Sequence, residues 1–475
     1  MEENKSQDWR ETKRMKKNFR FRAAMLCAKT ALFGLRILRR PASFLPGKIA
    51  LKICPDFLER LERPKTIIAV TGTNGKTTIS NLLTSALVMN GYQVTNNSYG
   101  SNMASGIASV LVDDSTFSGK PKKDIAVLEV DERSSRYIYP YLKPDYLVCS
   151  NIMRDSIRRN ANTDFITWLI SSALTDNTKL LLNGDDIICS SIGTGKSEKV
   201  FYGVECRDLE EDPDGIKDIT YCSNCGAELQ AEYFRYNHIG RVYCPACGFR
   251  SPELQYRVTK VNREKETVEI VQNGVPRVYH LVSDNIVNIY NMTAVVTVLD
   301  QIGLSYEQIA SAMKFARIVS SRFNQEQYLG RTITMELAKS QNPVACSMAF
   351  SYLKKSEGDD KIVLVVIDDK HENTNESENI SWMYDCDYSG LADPSVKRVV
   401  FGGPRAHDHL LRALTAGVSR EKIAITDGVF DALRFVDTRE SSHFFILYDL
   451  FLVTEAKKLQ GLLEKKIEEE SKNDD

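Results

Sequence analysis

Thr71-Gly72-Thr73-Asn74-Gly75-Lys76-Thr77-Thr78 follows directly on the apolar run Ile67-Ile68-Ala69-Val70. A strand, a glycine-rich turn and a new helix in that order make a phosphate cradle. Gly72 and Gly75 leave room for phosphate oxygens at a backbone whose N–H groups point inward. Lys76 is expected to reach the β- and γ-phosphates, and the Thr77 hydroxyl to ligate Mg2+. Thr73, Asn74 and Thr78 complete the cradle, and the helix adds its positive end. The first Gly of the strict Walker pattern is missing, with Val70 and Thr71 where the strand ends, so this loop is a variant. The competing reading is an ordinary βα turn that happens to contain Gly-Lys-Thr; the strand before it and the helix after it argue against that.

A second chemistry lies far downstream. Cys222-x-x-Cys225 and Cys244-x-x-Cys247 are two knuckles separated by 18 residues, with Gly226 and Gly248 after the second Cys of each. This is the layout of a zinc ribbon with tetrahedral ligation of Zn2+ by four cysteines, and four thiolates leave no open position for catalysis. His238, between the knuckles, is expected to pack or hydrogen-bond, and Tyr221, Tyr233, Phe234 and Tyr236 to serve as a small core. Lys and Arg are sparse in the ribbon, so nucleic acid is not an expected partner.

The elements that must position these groups follow from the rest of the chain. With 475 residues the prior is two or three domains. Apolar content of 43%, charged content of 26% and a net charge of −1 describe an ordinary globular chain without a global field for nucleic acid. No apolar run approaches the ~20 residues of a membrane span, and the charged start lacks a signal-peptide layout. The expected location is cytoplasmic, with a peripheral place at the inner face of the membrane as the variant reading. Residues 1–22 read as a solvated arm or helix. Residues 23–42 read as a basic amphipathic helix that either lies on an anionic membrane surface or packs on its own domain; the second is the expectation.

Between residues 65 and 200 strand patterns at Thr66–Val70, Gln93–Asn96, Ile125–Val130, Tyr146–Cys149 and Lys179–Leu182 alternate with helices. That rhythm predicts an α/β fold with a mostly parallel sheet, helices on both faces, and ligands at the carboxyl ends of the strands. Glu129-Val130-Asp131-Glu132, Ser150 to Asp155, and Asn183-Gly184-Asp185-Asp186 fall at those ends, where acidic groups could hold Mg2+ or cap helices. Two short strands around Asn273-Gly274 read as a hairpin, and a long apolar helix runs from Asp284 to about Ile302. Beyond Ser320–Phe323 the βα alternation restarts, with strands at Thr332–Leu337, Ile362–Ile367, Arg398–Phe401, Lys422–Ile425 and Phe444–Tyr448. The expected domains are 1–60 (N-terminal helical), 61–321 (ATP-binding, with the ribbon inserted at about 216–255) and 322–475 (C-terminal α/β).

The loop together with E-V-D-E at 129–132 resembles the Mur ligase superfamily, and the chain from about 44 to 450 is similar to the MurT family within it. The marks are L-P-G-K-I-A-L-K-I at 45–53, N-I-M-R-D at 151–155, the inserted four-cysteine ribbon, N-I-Y-N at 288–291, L-A-K at 337–339, S-W-M-Y-D at 381–385 and G-P-R-A-x-D at 403–408. The resemblance implies a Mur ligase-like central domain using ATP and Mg2+, with Lys76 and Thr77 on phosphate and metal and Glu129 as a further metal ligand. It implies Asn291 near the adenine and Arg322 at an interdomain phosphate site. It further implies amidation of the α-carboxyl of D-glutamate in the lipid II stem peptide, through an acyl phosphate. Ammonia would come from a class I glutamine amidotransferase subunit of the GatD kind, in a heterodimer. Cys149, Cys189 and Cys346 have no Gly-x-Cys-x-Gly setting, consistent with an outside nitrogen source. The relatives' D-N-x-A-D-G element is replaced by the longer stretch Asp368 to Ser377, and anchoring on Ser381-Trp382 puts Glu376 where their Asp would orient the partner's catalytic His. Their L-A-K-N-P is interrupted by Ser340-Gln341. Two other readings stay open: a Mur ligase-like paralogue for another carboxylate, and a nucleotide-binding scaffold.

Overall fold

A computed structural model describes residues 18–98, 101–155, 160, 162–209, 217–317, 323–368 and 379–472. The chain divides into two compact units. The first comprises Met1–Met153, Asn162–Pro213 and Thr220–Ile318; the second comprises Arg154–Ala161, Asp214–Ile219 and Val319–Asp475.

The first unit holds eleven strands among its described residues: β1 (Thr66–Thr71), β2 (Val94–Asn96), β3 (Ile125–Glu129), β4 (Tyr146–Cys149), β5 (Lys179–Asn183), β6 (Lys199–Val204), β7 (Gln230–Tyr236), β8 (Ile239–Tyr243), β9 (Tyr256–Asn262), β10 (Thr267–Gln272) and β11 (Val275–His280). Nine of them form one sheet in the order β11-β10-β9-β6-β5-β4-β1-β3-β2. The pairs from β2 to β9 are parallel, and β9, β10 and β11 make an antiparallel meander. The central strands β1, β3 and β4 are covered on both faces, which is why they read as unbroken apolar runs. β7 and β8 form a separate two-stranded sheet and belong to the ribbon, which leaves the large sheet after β6 and returns at β9. The helix Ile286–Gln301 is buried along most of its length, as its lack of a polar face requires.

The N-terminal helix Phe19–Ile37 lies on the helices Leu45–Ile53 and Ala104–Asp113 of the same unit. Phe21, Ala24, Met25 and Ala28 form a small core there with Ala50, Cys54, Phe57 and Val112. The expected packing of this segment on its own domain is therefore present.

The second unit contains a six-stranded sheet: β12 (Phe323–Tyr328), β13 (Arg331–Leu337), β14 (Lys361–Val366), β15 (Val396–Gly402), β16 (Ile423–Thr426) and β17 (His443–Tyr448), ordered β12-β13-β17-β14-β15-β16. Only β12 and β13 are antiparallel. One face packs the helix Pro343–Lys355 and Trp382, the other the terminal helix Val453–Lys472. Inside it His409 is fully buried between the Tyr388 hydroxyl, 2.8 Å from Nδ1, and the Ile367 carbonyl, 3.2 Å from Nε2.

Candidate active site

The loop closes β1 and opens the helix Lys76–Met89, whose N-cap residue Gly75 sits at φ 88° with no side chain capping the first turn. The leading amides of that helix are therefore left for an outside acceptor. Gly72 and Gly75 are needed for space as well as for their positive φ. A Cβ on Gly72 would lie 2.2 Å from Ser150 Oγ, and one on Gly75 would lie 2.2 Å from Asn291 Oδ1. Protein groups, not only phosphate, thus demand these glycines.

The front half of the loop is held by the segment that follows β4. The Thr73 amide donates to the Asn151 carbonyl at 2.8 Å, and the Asn74 amide to Asn151 Oδ1 at 3.0 Å. Thr73 Oγ1 accepts from the Met153 amide at 2.9 Å. The expected inward pointing of the loop's N–H groups needs correction here: at Thr73 and Asn74 they donate to Asn151.

Lys76 and Thr77 both meet the E-V-D-E stretch. Lys76 Nζ lies 3.0 Å from Glu132 Oε1 and 3.3 Å from the Thr73 carbonyl, and it also donates to the Gly72 carbonyl. Burial pulls the lysine down but the neighbouring carboxylates, Glu132 foremost, outweigh it, so its pKa is raised and the charge is kept. Burial also pushes Glu132 up, against the pull of Lys76. Thr77 Oγ1 donates to Glu129 Oε2 at 2.8 Å, and Asn102 Nδ2 donates to Glu129 Oε1 at 3.2 Å. Asn97 fixes the same residue's backbone, accepting from the Glu129 amide at 2.8 Å and donating to its carbonyl at 2.9 Å. The set can do two things: offer amides and an ammonium to an anion, and present a hydroxyl beside a carboxylate to a hard cation.

Lys76, Thr77, Glu129, Gly72, Thr73, Asn74, Gly75, Thr78 and Asn291 are thus gathered within one unit. Arg322 and Glu376 lie outside the described residues. Sequence reasoning does not reach Asn97 and Asn102; the Asn-rich run Asn96-Asn97-Ser98 to Asn102 after β2 is the available signal. Glu132 and Asn151 fall in the strand-end clusters, and the structure adds their roles: partner of Lys76 and clamp of the loop. In the second unit the stretches carrying the resemblance meet through ion pairs: Arg154 with Asp385 at 3.4 Å and Lys339 with Asp155 at 3.5 Å. Cys149, Cys189 and Cys346 are buried.

The four ribbon sulfurs lie within 4.8 Å of one another, with Cys222 and Cys247 3.6 Å apart and Cys225 and Cys244 3.5 Å apart. A tetrahedron with ~2.3 Å metal–sulfur bonds has edges of about 3.8 Å, so the set fits a metal such as zinc. Each knuckle is closed by its own backbone: the Cys222 amide donates to the Ala227 carbonyl at 2.8 Å and the Cys244 amide to the Phe249 carbonyl at 2.7 Å. The amides of Cys247 and Ala246 lower the Cys244 thiol to about 7.

The acidic pair after β5 has a different job from the metal ligation considered for it. Asp186 Oδ1 caps the turn Ile187–Ser190 and lies 3.0 Å from His238 Nε2, while its Oδ2 accepts from the Ile152 amide at 2.7 Å. Asp185 Oδ2 accepts from the Val204 amide at 2.7 Å and the Tyr290 hydroxyl at 2.8 Å. Burial raises Asp185 to about 6. His238 roots the ribbon hairpin in the sheet, as does Tyr233, whose hydroxyl donates to the Val204 carbonyl at 2.8 Å. Tyr221, expected in a ribbon core, is instead 62% exposed.

Among solved structures, a pseudomurein peptide ligase type C from Methanothermus fervidus superposes with a TM-score of 0.64 at 18% identity, covering 86% of this chain and 81% of that one. MurF ligase from Thermotoga maritima, in complex with ADP, gives 0.56 at 15%, covering 90% and 85%. The architecture is that of the Mur ligases. Residues 337–450 match the MurT ligase C-terminal family model. The MurT subunit of lipid II isoglutaminyl synthase (glutamine-hydrolyzing) from Staphylococcus aureus is 30% identical over 407 residues, 83% of this chain and 88% of the relative. The subunit of the same name from Streptococcus pneumoniae is 28% identical over 456 residues, 93% and 97%. The chain belongs to the MurT family. None of its described helices is long and apolar enough to cross a membrane.

Proposed function

We propose that this chain is the ligase subunit of a lipid II isoglutaminyl synthase, amidating the α-carboxyl of D-glutamate in the lipid II stem peptide. The observation that carries it is the convergence of Lys76, Thr77 and Glu129 at the carboxyl end of β1 and β3 in a chain of this family. In this reading Gly75, Lys76 and Thr78 hold the phosphates of ATP, Asn291 lies beside the nucleotide, and Thr77 and Glu129 hold Mg2+. ATP supplies the phosphoryl group that turns the carboxylate into an acyl phosphate; ammonia then attacks the carbonyl carbon and phosphate leaves. Lys76 contributes a fixed positive charge where negative charge moves in transfer. Asn102 and Asn97 keep Glu129 aimed at Thr77. A class I glutamine amidotransferase subunit supplies ammonia from glutamine, with Glu376 orienting its histidine and Arg322 at the phosphate site. The ribbon carries one Zn2+ with a structural role.

The test is amidation of lipid II by the chain with its co-purified partner, ATP and glutamine, read by mass spectrometry of the stem peptide. Lys76→Ala is expected to abolish turnover with glutamine and with free ammonia alike. Retained activity in that variant would overturn the assignment of the loop. ATP hydrolysis driven by a different carboxylate would overturn the substrate.

A further inference from the structure

The helix Phe19–Ile37 has two apolar faces. Phe21, Ala24, Met25, Ala28 and Leu32 are buried against the first unit, which accounts for one of them. On the opposite side Phe19, Leu26, Phe33 and Ile37 are 84%, 58%, 67% and 65% exposed. Their spacing of seven, seven and four residues sets them in one row along the helix. A helix packed on a soluble domain normally turns polar side chains outward, so this row is unexplained by the packing. Beside it, at the same seven-residue interval, run Arg22, Lys29 and Arg36, and the exposed Leu38, Arg39 and Arg40 follow the helix end.

Within the helix and the turn that follows it, every charge is positive, and the nearest acid is Asp113 of the neighbouring helix, which pairs with Arg36 at 2.7 Å. Residues 18–53 contain Arg20, Arg22, Lys29, Arg36, Arg39, Arg40, Lys48 and Lys52 and no Asp or Glu, in a chain whose net charge is −1. Phe117, 64% exposed, faces Phe33 across a groove of about 430 Å³ whose lining includes Lys29, Arg36 and Lys122 and one acid, Asp113. A row of Phe, Leu and Ile bordered by Arg and Lys is what an interfacial helix presents to an anionic bilayer. A second copy of the chain would set cation against cation across the same face.

We propose that the outer face of Phe19–Ile37 docks on an anionic lipid bilayer, with Phe19, Leu26, Phe33 and Ile37 in the acyl boundary and Arg22, Arg39 and Arg40 at lipid phosphates. The proposal goes beyond the ligase reading and is tested without catalysis, so its failure leaves that reading standing.

The experiment is co-sedimentation of the full chain with vesicles of phosphatidylglycerol and, separately, of phosphatidylcholine. Binding is expected to phosphatidylglycerol only and to weaken with salt. Leu26→Ser/Phe33→Ser/Ile37→Ser is expected to weaken it by more than about tenfold with an unchanged melting temperature, since the three side chains are exposed. Arg39→Glu/Arg40→Glu is expected to weaken it about fivefold or more per residue. No binding to phosphatidylglycerol, equal binding to both lipids, or a dimer that the serine variant dissolves without any vesicle binding would each overturn the proposal.

Discussion

The phosphate loop and the cysteine knuckles are both built on glycines at positive φ, yet they depend on their surroundings to different degrees. At Gly226 and Gly248, φ 74° and 75°, a Cβ would meet nothing within 4 Å. The knuckle closes on its own backbone within six residues, Cys222 to Ala227. At Gly72 and Gly75 a Cβ would strike Ser150 and Asn291, residues far away in the chain. One motif carries its shape with it; the other is shaped by the end of β4 and by the helix Ile286–Gln301. Conformation alone is at stake in the first, conformation and packing in the second.

Four measurements would break or sharpen that contrast. The largest effect is expected from removing the metal. A structural zinc contributes on the order of 10 kcal/mol to the fold of its ribbon, so chelation under denaturing conditions should release roughly one equivalent per chain and prevent the ribbon from refolding. Zinc-free native protein would dissolve the comparison. Next is Gly75→Ala, expected to destabilise the first unit by about 3 kcal/mol through strain and overlap, against about 1 kcal/mol for Gly226→Ala from backbone strain alone. Adding Asn291→Ala should recover part of the first loss and none of the second, as read by denaturant titration. His238→Ala should cost about 2 kcal/mol, because buried Asp186 loses a partner, while zinc content stays constant.

The smallest is a pH effect at Asp185. Its carboxyl titrates at about 6 in the fold, against 3.8 for the free group. The folded state therefore binds more protons between those values, and the stabilisation present below pH 4 is lost as pH rises through 6. Melting from pH 5 to pH 7 should show a decline of about 1 kcal/mol that Asp185→Asn removes.

The same contrast explains what could be read from the sequence. The knuckles and the loop are local patterns, so both are legible, as are β1 to β5 and β13 to β17, whereas β6 is not picked out. β9 and β10 do not separate in the sequence, because their turn runs through Arg263 to Glu266 with Glu266 itself at φ 48° and no glycine to mark it. β12 escapes notice because Phe-Asn-Gln-Glu-Gln-Tyr is an edge strand with little to bury. Glu132 as the partner of Lys76, Asn102 as the support of Glu129, and Asp186 as the socket of His238 are products of topology: each joins positions 27 or more residues apart, and no spacing rule links them.

The ribbon leaves the sheet at β6 and returns at β9, and these two strands are hydrogen-bonded neighbours with Tyr202 opposite Tyr256. The ladder runs across the insertion as though nothing had been spliced in, so the module is a graft that leaves the stock intact. Because β6 and β9 are parallel, a replacement for the ribbon would still have to be a crossover of about a dozen residues or more. The graft nonetheless has a root, for excising it would open Asp185 and Asp186 to water and strip His238 from Asp186, which holds the Ile152 amide. A minimal version of this enzyme architecture would need its root socket rewritten together with the excision.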